Sequence, residues 1–324
     1  MHQNYQNPDV HLRPFQGDHD FALIASIEQR CLHADRVLRV PTRERIAYTY
    51  SSLRNFDLHR DVQIAMLAEK PVGYVRMNWD HESRGRISLR HQSFTLPQQR
   101  QTGVSEHLLT YAEERLMPLI SARTPEESAY LTSGAYDSEV EKWGLLERAG
   151  YRVENTFHDM AYDLKQIELV PADLPGFAVR AVQSKELRTL WKLICEHGEG
   201  DACEHPAGFV LWRQDPRFQP ELWRALYHND QMIGCALSHI HHQENRTLGR
   251  RWAYIDQLVF KSKWRNPELT SLLLSTTLAG LKQFGIRKAV CRVERDSGEC
   301  GRRYLQQIGF HTIKRFSLYQ KSLN

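Results

Sequence analysis

Phe94-Thr95-Leu96-Pro97-Gln98-Gln99-Arg100-Gln101-Thr102-Gly103-Val104-Ser105 reads as the end of a strand, a turn marked by proline and glycine, and the opening of an amphipathic helix. The backbone N–H groups at such a helix start, with the helix dipole behind them, make an anion site, and the glycine lets a phosphate come close. Further along, Lys261-Ser262-Lys263-Trp264-Arg265-Asn266-Pro267-Glu268-Leu269-Thr270 repeats the arrangement. Aligning Arg100 with Arg265 superposes Val104 on Leu269, Leu108 on Leu273, Leu109 on Leu274 and Leu116 on Leu281, one apolar stripe in both. The second copy is the poorer anion site. Glu268 stands where the first copy has Gly103, and Pro267 removes an N–H donor.

Working outward from that pair, the whole chain says nearly the same thing twice, with the copies roughly 160 residues apart. Each copy opens on an apolar-Arg-apolar strand, Leu12-Arg13-Pro14-Phe15 and Val179-Arg180-Ala181-Val182. Each then has a hairpin whose second strand carries an early glycine, Gly73 or Gly234, and each closes on a glycine-aromatic pair, Gly150-Tyr151 or Ile308-Gly309-Phe310. The first hairpin is expected to turn at Glu69-Lys70-Pro71 and the second at His228-Asn229-Asp230-Gln231. A period this long means two related domains, since solenoid repeats run about 20–50 residues. Two prolines and a glycine between Lys165 and Gly176 mark the expected border, giving domains over residues 8–168 and 176–324. The order strand, helices, hairpin, strand, helix, strand, helix, strand predicts an α/β (α+β) fold in each, a mixed, mostly antiparallel sheet flanked by helices.

With 324 residues the chain has length for two such cores, and 25% charged against 41% hydrophobic residues is a globular balance. The longest uncharged apolar stretch, Leu269 to Leu281, contains Ser and Thr and is too short to span a bilayer, so no membrane partner is expected. The N-terminus is polar, without the basic-then-apolar pattern of a secretion signal, and a cytoplasmic protein is expected. Six cysteines without C-x-x-C spacing are expected to be reduced thiols. A net charge of +4 without a dense Lys/Arg block argues against a nucleic-acid partner.

On these residues the sequence resembles the GNAT superfamily of N-acetyltransferases, of the tandem two-domain type, an architecture similar to that of mycothiol synthase. The family's acetyl-CoA signature is Arg/Gln-x-x-Gly-x-Gly/Ala opening a helix, and Arg100-Gln101-Thr102-Gly103-Val104-Ser105 fits it, with Ser105 at the last small position. The resemblance implies acetyl-CoA as co-substrate, no metal, and a primary amine of a small molecule or peptide as acceptor. It implies a pantetheine arm paired with the strand before the loop, at Phe94, Thr95 and Leu96, with Leu258, Val259 and Phe260 as second-copy equivalents and Arg265 and Asn266 at the second loop.

Acyl transfer to an amine needs a proton acceptor and, for the leaving thiolate, a proton donor. The resemblance points to the strand before each loop for the base, at His91 and Asp256. The family's tyrosine four residues before the closing glycine is replaced by Leu146 and Leu305, so another group such as Tyr136 or Tyr254 is the acid, the leaving group departs as a thiolate, or one domain does no chemistry. His239, His241 and His242 read as a solvated strand end, and Trp191, Trp212, Trp223, Trp252 and Trp264 as core or an apolar acceptor pocket. The stretch His197–His205 reads as a solvated loop or a cradle for a cationic amine. Two other classes stay open: a catalytically degenerate CoA-binding or scaffold protein, and an aminoacyl-tRNA-dependent transferase. The oligomeric state is not legible.

Overall fold

The computed structural model describes residues 9–82, 85–120, 127–166, 174–198, 207–294 and 301–323. In chain order these form β1 (Val10–Pro14), α1 (Asp18–Ala34), α2 (Arg43–Ser51), α3 (Leu58–Asp61), β2 (Val62–Leu67), β3 (Lys70–Glu82), β4 (Arg86–Thr95), α4 (Val104–Leu116), β5 (Ser128–Tyr136), α5 (Val140–Arg148) and β6 (Arg152–Asp163). The second copy follows with β7 (Phe177–Ala181), α6 (Leu187–His197), α7 (Gly208–Gln214), β8 (Arg224–His228), β9 (Gln231–His239), α8 (His242–Thr247), β10 (Trp252–Phe260), α9 (Pro267–Gln283), β11 (Lys288–Glu294), α10 (Arg302–Gln307) and β12 (His311–Leu323).

The elements gather into two compact units, Met1–Thr156 with Phe316–Asn324, and Phe157–Arg315. The first unit orders its strands β1-β2-β3-β4-β5-β12, antiparallel throughout except for β4 with β5. The second orders them β7-β8-β9-β10-β11-β6, antiparallel except for β10 with β11. The topology is therefore the same twice, a mixed and mostly antiparallel sheet. The sixth place in each, however, is taken by a strand of the other repeat. Phe316–Leu323 of β12 pairs with Tyr136–Ala129 of β5, and Phe157–Asp163 of β6 pairs with Glu294–Lys288 of β11. The compact division thus falls inside β6 and β12, whereas proline and glycine punctuation pointed to Lys165–Gly176; backbone pairing with distant strands, which composition does not encode, sets it.

The repeated glycines have geometric reasons. A Cβ on Gly73 would lie 2.6 Å from the Phe94 carbonyl oxygen, and one on Gly234 would lie 2.9 Å from the Phe260 ring, so both admit the neighbouring strand. Gly150 (φ 90°) and Gly309 (φ 101°) end α5 and α10 in the left-handed region, and the next N–H, of Tyr151 or Phe310, turns back to the carbonyl of Leu146 or Leu305. The aromatic that follows is buried in each case. The hairpin turns use two left-handed residues each, Asn229 and Asp230 as expected, but Ala68 and Glu69 in the first copy, one residue earlier than the proline suggested.

The opening arginines are also alike. Arg13 holds Asp20 through two bonds of 2.8 and 2.7 Å, and Arg180 holds Glu186 through two of 3.0 and 2.7 Å. Each carboxylate also accepts the N–H three residues beyond its arginine, Gln16 or Gln183.

In the first unit α1 and α2 cover one sheet face over Phe21, Ile24, Ile27, Ile64 and Tyr74, while α4 and α5 cover the other over Leu89, Leu108, Leu131, Leu146 and Tyr151. Full burial of a residue such as Leu108 contributes about 2 kcal/mol. In the second unit Trp223 donates to the Ser238 carbonyl at 3.0 Å and stacks on Trp212 at 5.2 Å, which makes these tryptophans packing residues. The cysteines are not uniformly reduced: Cys31, Cys235 and Cys291 are free and buried, but Cys195 is disulfide-bonded. Among the described residues no helix is long and apolar enough to cross a membrane.

Candidate functional site

The parallel pair β4–β5 is short. It runs from Arg86/Ser128 to Arg90/Thr132, after which β4 continues only with β3 and β5 only with β12. Among the described residues the β5-facing edge of β4 from His91 to Thr95 therefore has no ladder partner, and the strands part into a fork. Beyond the fork the chain makes a single 3₁₀ turn over Pro97–Gln99, reaches Gly103 in the left-handed region (φ 88°) and enters α4. Gly103 has no side chain to cap the helix. The first backbone donor inside the helix to find an acceptor is His107, on the Gly103 carbonyl at 2.9 Å. The N–H groups of Gly103, Val104, Ser105 and Glu106 have no acceptor among the described residues.

A cavity of about 270 Å³ lies against this helix start, walled by Ser93, Phe94 and Thr95 of β4, by Gln101 and Ser105, and by Lys142, Leu145 and Arg148 of α5. Carboxylates line it as well. Glu106 lies 3.9 Å from Arg148, Glu139 lies 3.7 Å from Lys142 and accepts the Tyr136 N–H at 2.7 Å, and Glu141 lies 3.3 Å from Arg100. The Lys142 ammonium is buried, without a hydrogen bond, 4.6 Å above the Phe94 ring.

The sequence-derived loop residues divide by role. Gln101 and Ser105 face the cavity, Val104 is wholly buried and anchors the helix, Leu96 is buried, and Thr102 donates back to the Gln99 carbonyl at 2.8 Å. Arg100 lines the cavity too, beside Asp35. It makes two 2.6 Å bonds to Asp35, the C-cap of α1, and a 3.2 Å bond to the Thr95 carbonyl. Burial works against the guanidinium charge, but the Asp35 pair outweighs it and holds the arginine pKa above its ordinary value. Its side chain ties the loop to α1, and the Thr95 carbonyl, also approached by Cys31 Sγ at 3.1 Å, is already engaged.

His91 is buried on the α4–α5 side, with Nε2 2.8 Å from the Tyr151 hydroxyl. Burial, with Lys142 and Lys321 nearby, pushes its pKa down to about 3, so the ring is neutral at ordinary pH. It is not among the cavity walls. Tyr136 is buried at the end of β5 with its ring edge against Phe316 at 5.2 Å.

The second unit repeats the fork but not the open helix start. β10 pairs with β11 only from Trp252/Lys288 to Ile255/Cys291, and Asp256 sits in the irregularity between Ile255 and Gln257 in the ladder with β9. Its carboxylate is 3.0 Å from His239 Nδ1 and 3.4 Å from Arg217. Tyr254 stacks on the His239 ring at 5.2 Å and donates its hydroxyl to Glu244. His239 is thus buried in a polar cluster, and His241 caps α8 by accepting the Glu244 N–H at 3.2 Å; neither is a solvated strand end. Leu258 is half-buried, Val259 and Phe260 are core, and Arg265 is exposed. Asn266 caps α9, its side chain taking the Leu269 N–H at 2.9 Å and its carbonyl the Thr270 N–H at 3.0 Å. Much of the His197–His205 stretch lies outside the described residues.

The motif reading did not find Glu28, Asp35, Glu139 or Lys142. One signal was available for Glu28, a carboxylate on the apolar stripe Phe21, Ile24, Cys31, Leu32 of α1.

No protein-family model and no curated protein sequence matches the chain. Solved structures do. A GCN5-related N-acetyltransferase from Sphaerobacter thermophilus superposes with a TM-score of 0.69 at 21% identity, over 97% of this chain and 96% of that one. A tandem GNAT protein from the clavulanic acid biosynthesis pathway gives 0.68 at 13% identity over 97% and 98%. The chain has a tandem GNAT fold. A GNAT-family acetyltransferase from Colwellia psychrerythraea, at 0.58 and 11% identity over 96% and 99%, shares it. In this tandem GNAT fold the forked strands and the helix beyond them recur in both units, and the open helix start belongs to the first alone.

Proposed function

We propose that this protein is an acyltransferase that moves an acetyl group from acetyl-CoA to a primary amine of a small molecule or peptide, with the donor held in the first unit. The observation that carries this reading is the row of N–H groups from Gly103 to Glu106 with no acceptor among the described residues, at a helix start whose Ser105 and Glu106 line the cavity beside the β4–β5 fork. Those donors fit the pyrophosphate of CoA, and the unpaired β4 edge fits a pantetheine arm carrying amides of its own. The GNAT folds that superpose on the whole chain support the same activity. At the second unit, Asn266 and Pro267 leave Glu268 as the single open donor among the first three helical positions, and its own carboxylate stands there.

The test is calorimetric titration of the purified protein with acetyl-CoA. One site per chain supports the first unit as donor site, two sites give the second loop a role, and no binding at millimolar ligand overturns the reading. Release of free thiol with a panel of primary amines then identifies the acceptor.

A further inference from the structure

The face that α1 turns to the sheet is apolar apart from Asp20 in its first turn, which Arg13 neutralises, and Glu28 at its middle. Phe21, Ile24, Cys31 and Leu32 are buried there, and Glu28 falls on the same stripe, four residues after Ile24 and three before Cys31. Contacts further along the helix fix where that face lies: Cys31 Sγ is 3.1 Å from the Thr95 carbonyl oxygen and Asp35 holds Arg100, so α1 runs beside the end of β4 that forms the fork. The Glu28 carboxylate accepts a hydrogen bond from the Tyr74 hydroxyl. Tyr74 in turn stacks on Phe94 at 5.6 Å and 21°, and Phe94 is a wall of the cavity. Among the described residues the charged and titratable groups acting on Glu28 are Tyr74 and Arg76 of β3, Lys142 of α5 and Glu139 at the N-cap of α5, with Tyr50 of α2 beside Tyr74.

The acceptor amine needs a proton acceptor close to the fork. His91 points to the opposite side of the sheet, and the burial that holds its pKa low makes it a weak base. Resting on the acetyl-CoA reading above, we propose that Glu28 is the general base of acyl transfer in the first unit and that Tyr74 is the residue that positions it. The amine nitrogen attacks the thioester carbonyl carbon, forming the C–N bond, while the C–S bond breaks and sulfur leaves as the CoA thiolate. The proton lost by nitrogen goes to a Glu28 oxygen and from there to the thiolate, which restores the carboxylate. Burial raises the Glu28 pKa from the ordinary carboxylate value, with Glu139 adding to it and Tyr74, Arg76 and Lys142 opposing it, the direction a base working near neutral pH requires.

The experiment pairs acetyl-CoA calorimetry with thiol release from acetyl-CoA, both with primary amines and with water alone as acceptor, for the wild type, Glu28→Gln and Tyr74→Phe. Glu28→Gln is expected to bind acetyl-CoA within twofold of wild type, to lose at least about 100-fold in kcat, and to lose the limb of kcat/KM that rises with pH. Tyr74→Phe removes a bond that favours the charged carboxylate, so its limb moves to higher pH with the carboxylate still present. A merely structural tyrosine would not move it. A Glu28→Gln rate within threefold of wild type, or an unmoved limb in Tyr74→Phe, overturns the assignment. So does a wild type that binds acetyl-CoA but releases no thiol to amine or water; failure to bind acetyl-CoA at all instead removes the donor site on which the assignment rests.

Discussion

The starts of α4 and α9 occupy the same place in the same topology and differ in almost every donor. At α4, Gly103 is left-handed and leaves the N–H groups of Val104, Ser105 and Glu106 open; at α9, Pro267 has none, Asn266 captures that of Leu269, and only Glu268 is left. Both copies have meanwhile kept the features that packing demands: the strand glycines, the glycine-aromatic closures and the arginine-carboxylate anchors. Packing and ligand chemistry are thus separable within one chain. The repeat holds wherever the sheet needs it and lapses at the helix mouth. The largest test of that contrast is Gly103→Glu against Glu268→Ala. Gly103→Glu forces a side chain into φ 88° and sets a carboxylate beside the open donors, and is expected to weaken acetyl-CoA binding at least about 100-fold. Glu268→Ala is expected to change it less than about twofold, since the donors it leaves are already capped or missing. Equal losses in calorimetry would erase the distinction between the two loops.

The arginines that lead the two loops extend the comparison to stability. Arg100 is nearly enclosed and bonded twice to an Asp35 that is itself buried at the side chain, whereas Arg265 is exposed. Breaking an enclosed pair strands the remaining charge, so Arg100→Ala and Asp35→Ala are each expected to cost about 3 kcal/mol in urea unfolding. The double variant should cost little more than either single one. Arg265→Ala should stay within about 0.5 kcal/mol. If Asp35→Ala leaves stability unchanged, Arg100 is free to serve a ligand and its tie to α1 is incidental.

The duplication, the order of elements along the chain and the missing N–H donor at the second helix start were legible because each rests on local pattern: apolar alternation, glycine where the backbone is crowded, proline where a donor is lost. The exchange of β6 and β12 was not, since pairing between Phe316 and Tyr136 or between Phe157 and Glu294 joins residues more than a hundred positions apart that carry no mark of their partners. The candidate site was legible as backbone and not as side chains. The 100–105 loop lies against the cavity, yet its arginine is already paired there with Asp35, and His91 is sealed against Tyr151, because the partners of a side chain depend on neighbours that tertiary packing supplies. Glu28 was visible in principle as a charge in the middle of a buried stripe, but a loop motif draws attention away from a helix some seventy residues earlier.

The smallest test concerns the anchors at β1 and β7, which look equivalent and differ in depth. Asp20 has no exposed side-chain surface, while Glu186 keeps some, 15%. Removing the buried charge by Asp20→Asn is expected to cost about 2 kcal/mol, and Glu186→Gln, whose pair is screened by solvent, about 1 kcal/mol. The acid dependence fixes the sign. The Arg180 bond, with the Gln183 N–H and the Tyr227 hydroxyl helping against burial, lowers the Glu186 pKa to about 2 from an ordinary 4.5. A carboxylate lowered on folding stabilises the native state fully above its unfolded value, and that contribution drains away as pH falls through the window from 4.5 to about 2. The stability gap between wild type and Glu186→Gln, measured by urea unfolding along that window, should therefore be constant above it and close toward its lower end. A gap that persisted to the acid end would mean that the glutamate acts by packing alone, and the two anchors would then differ in kind, not only in depth.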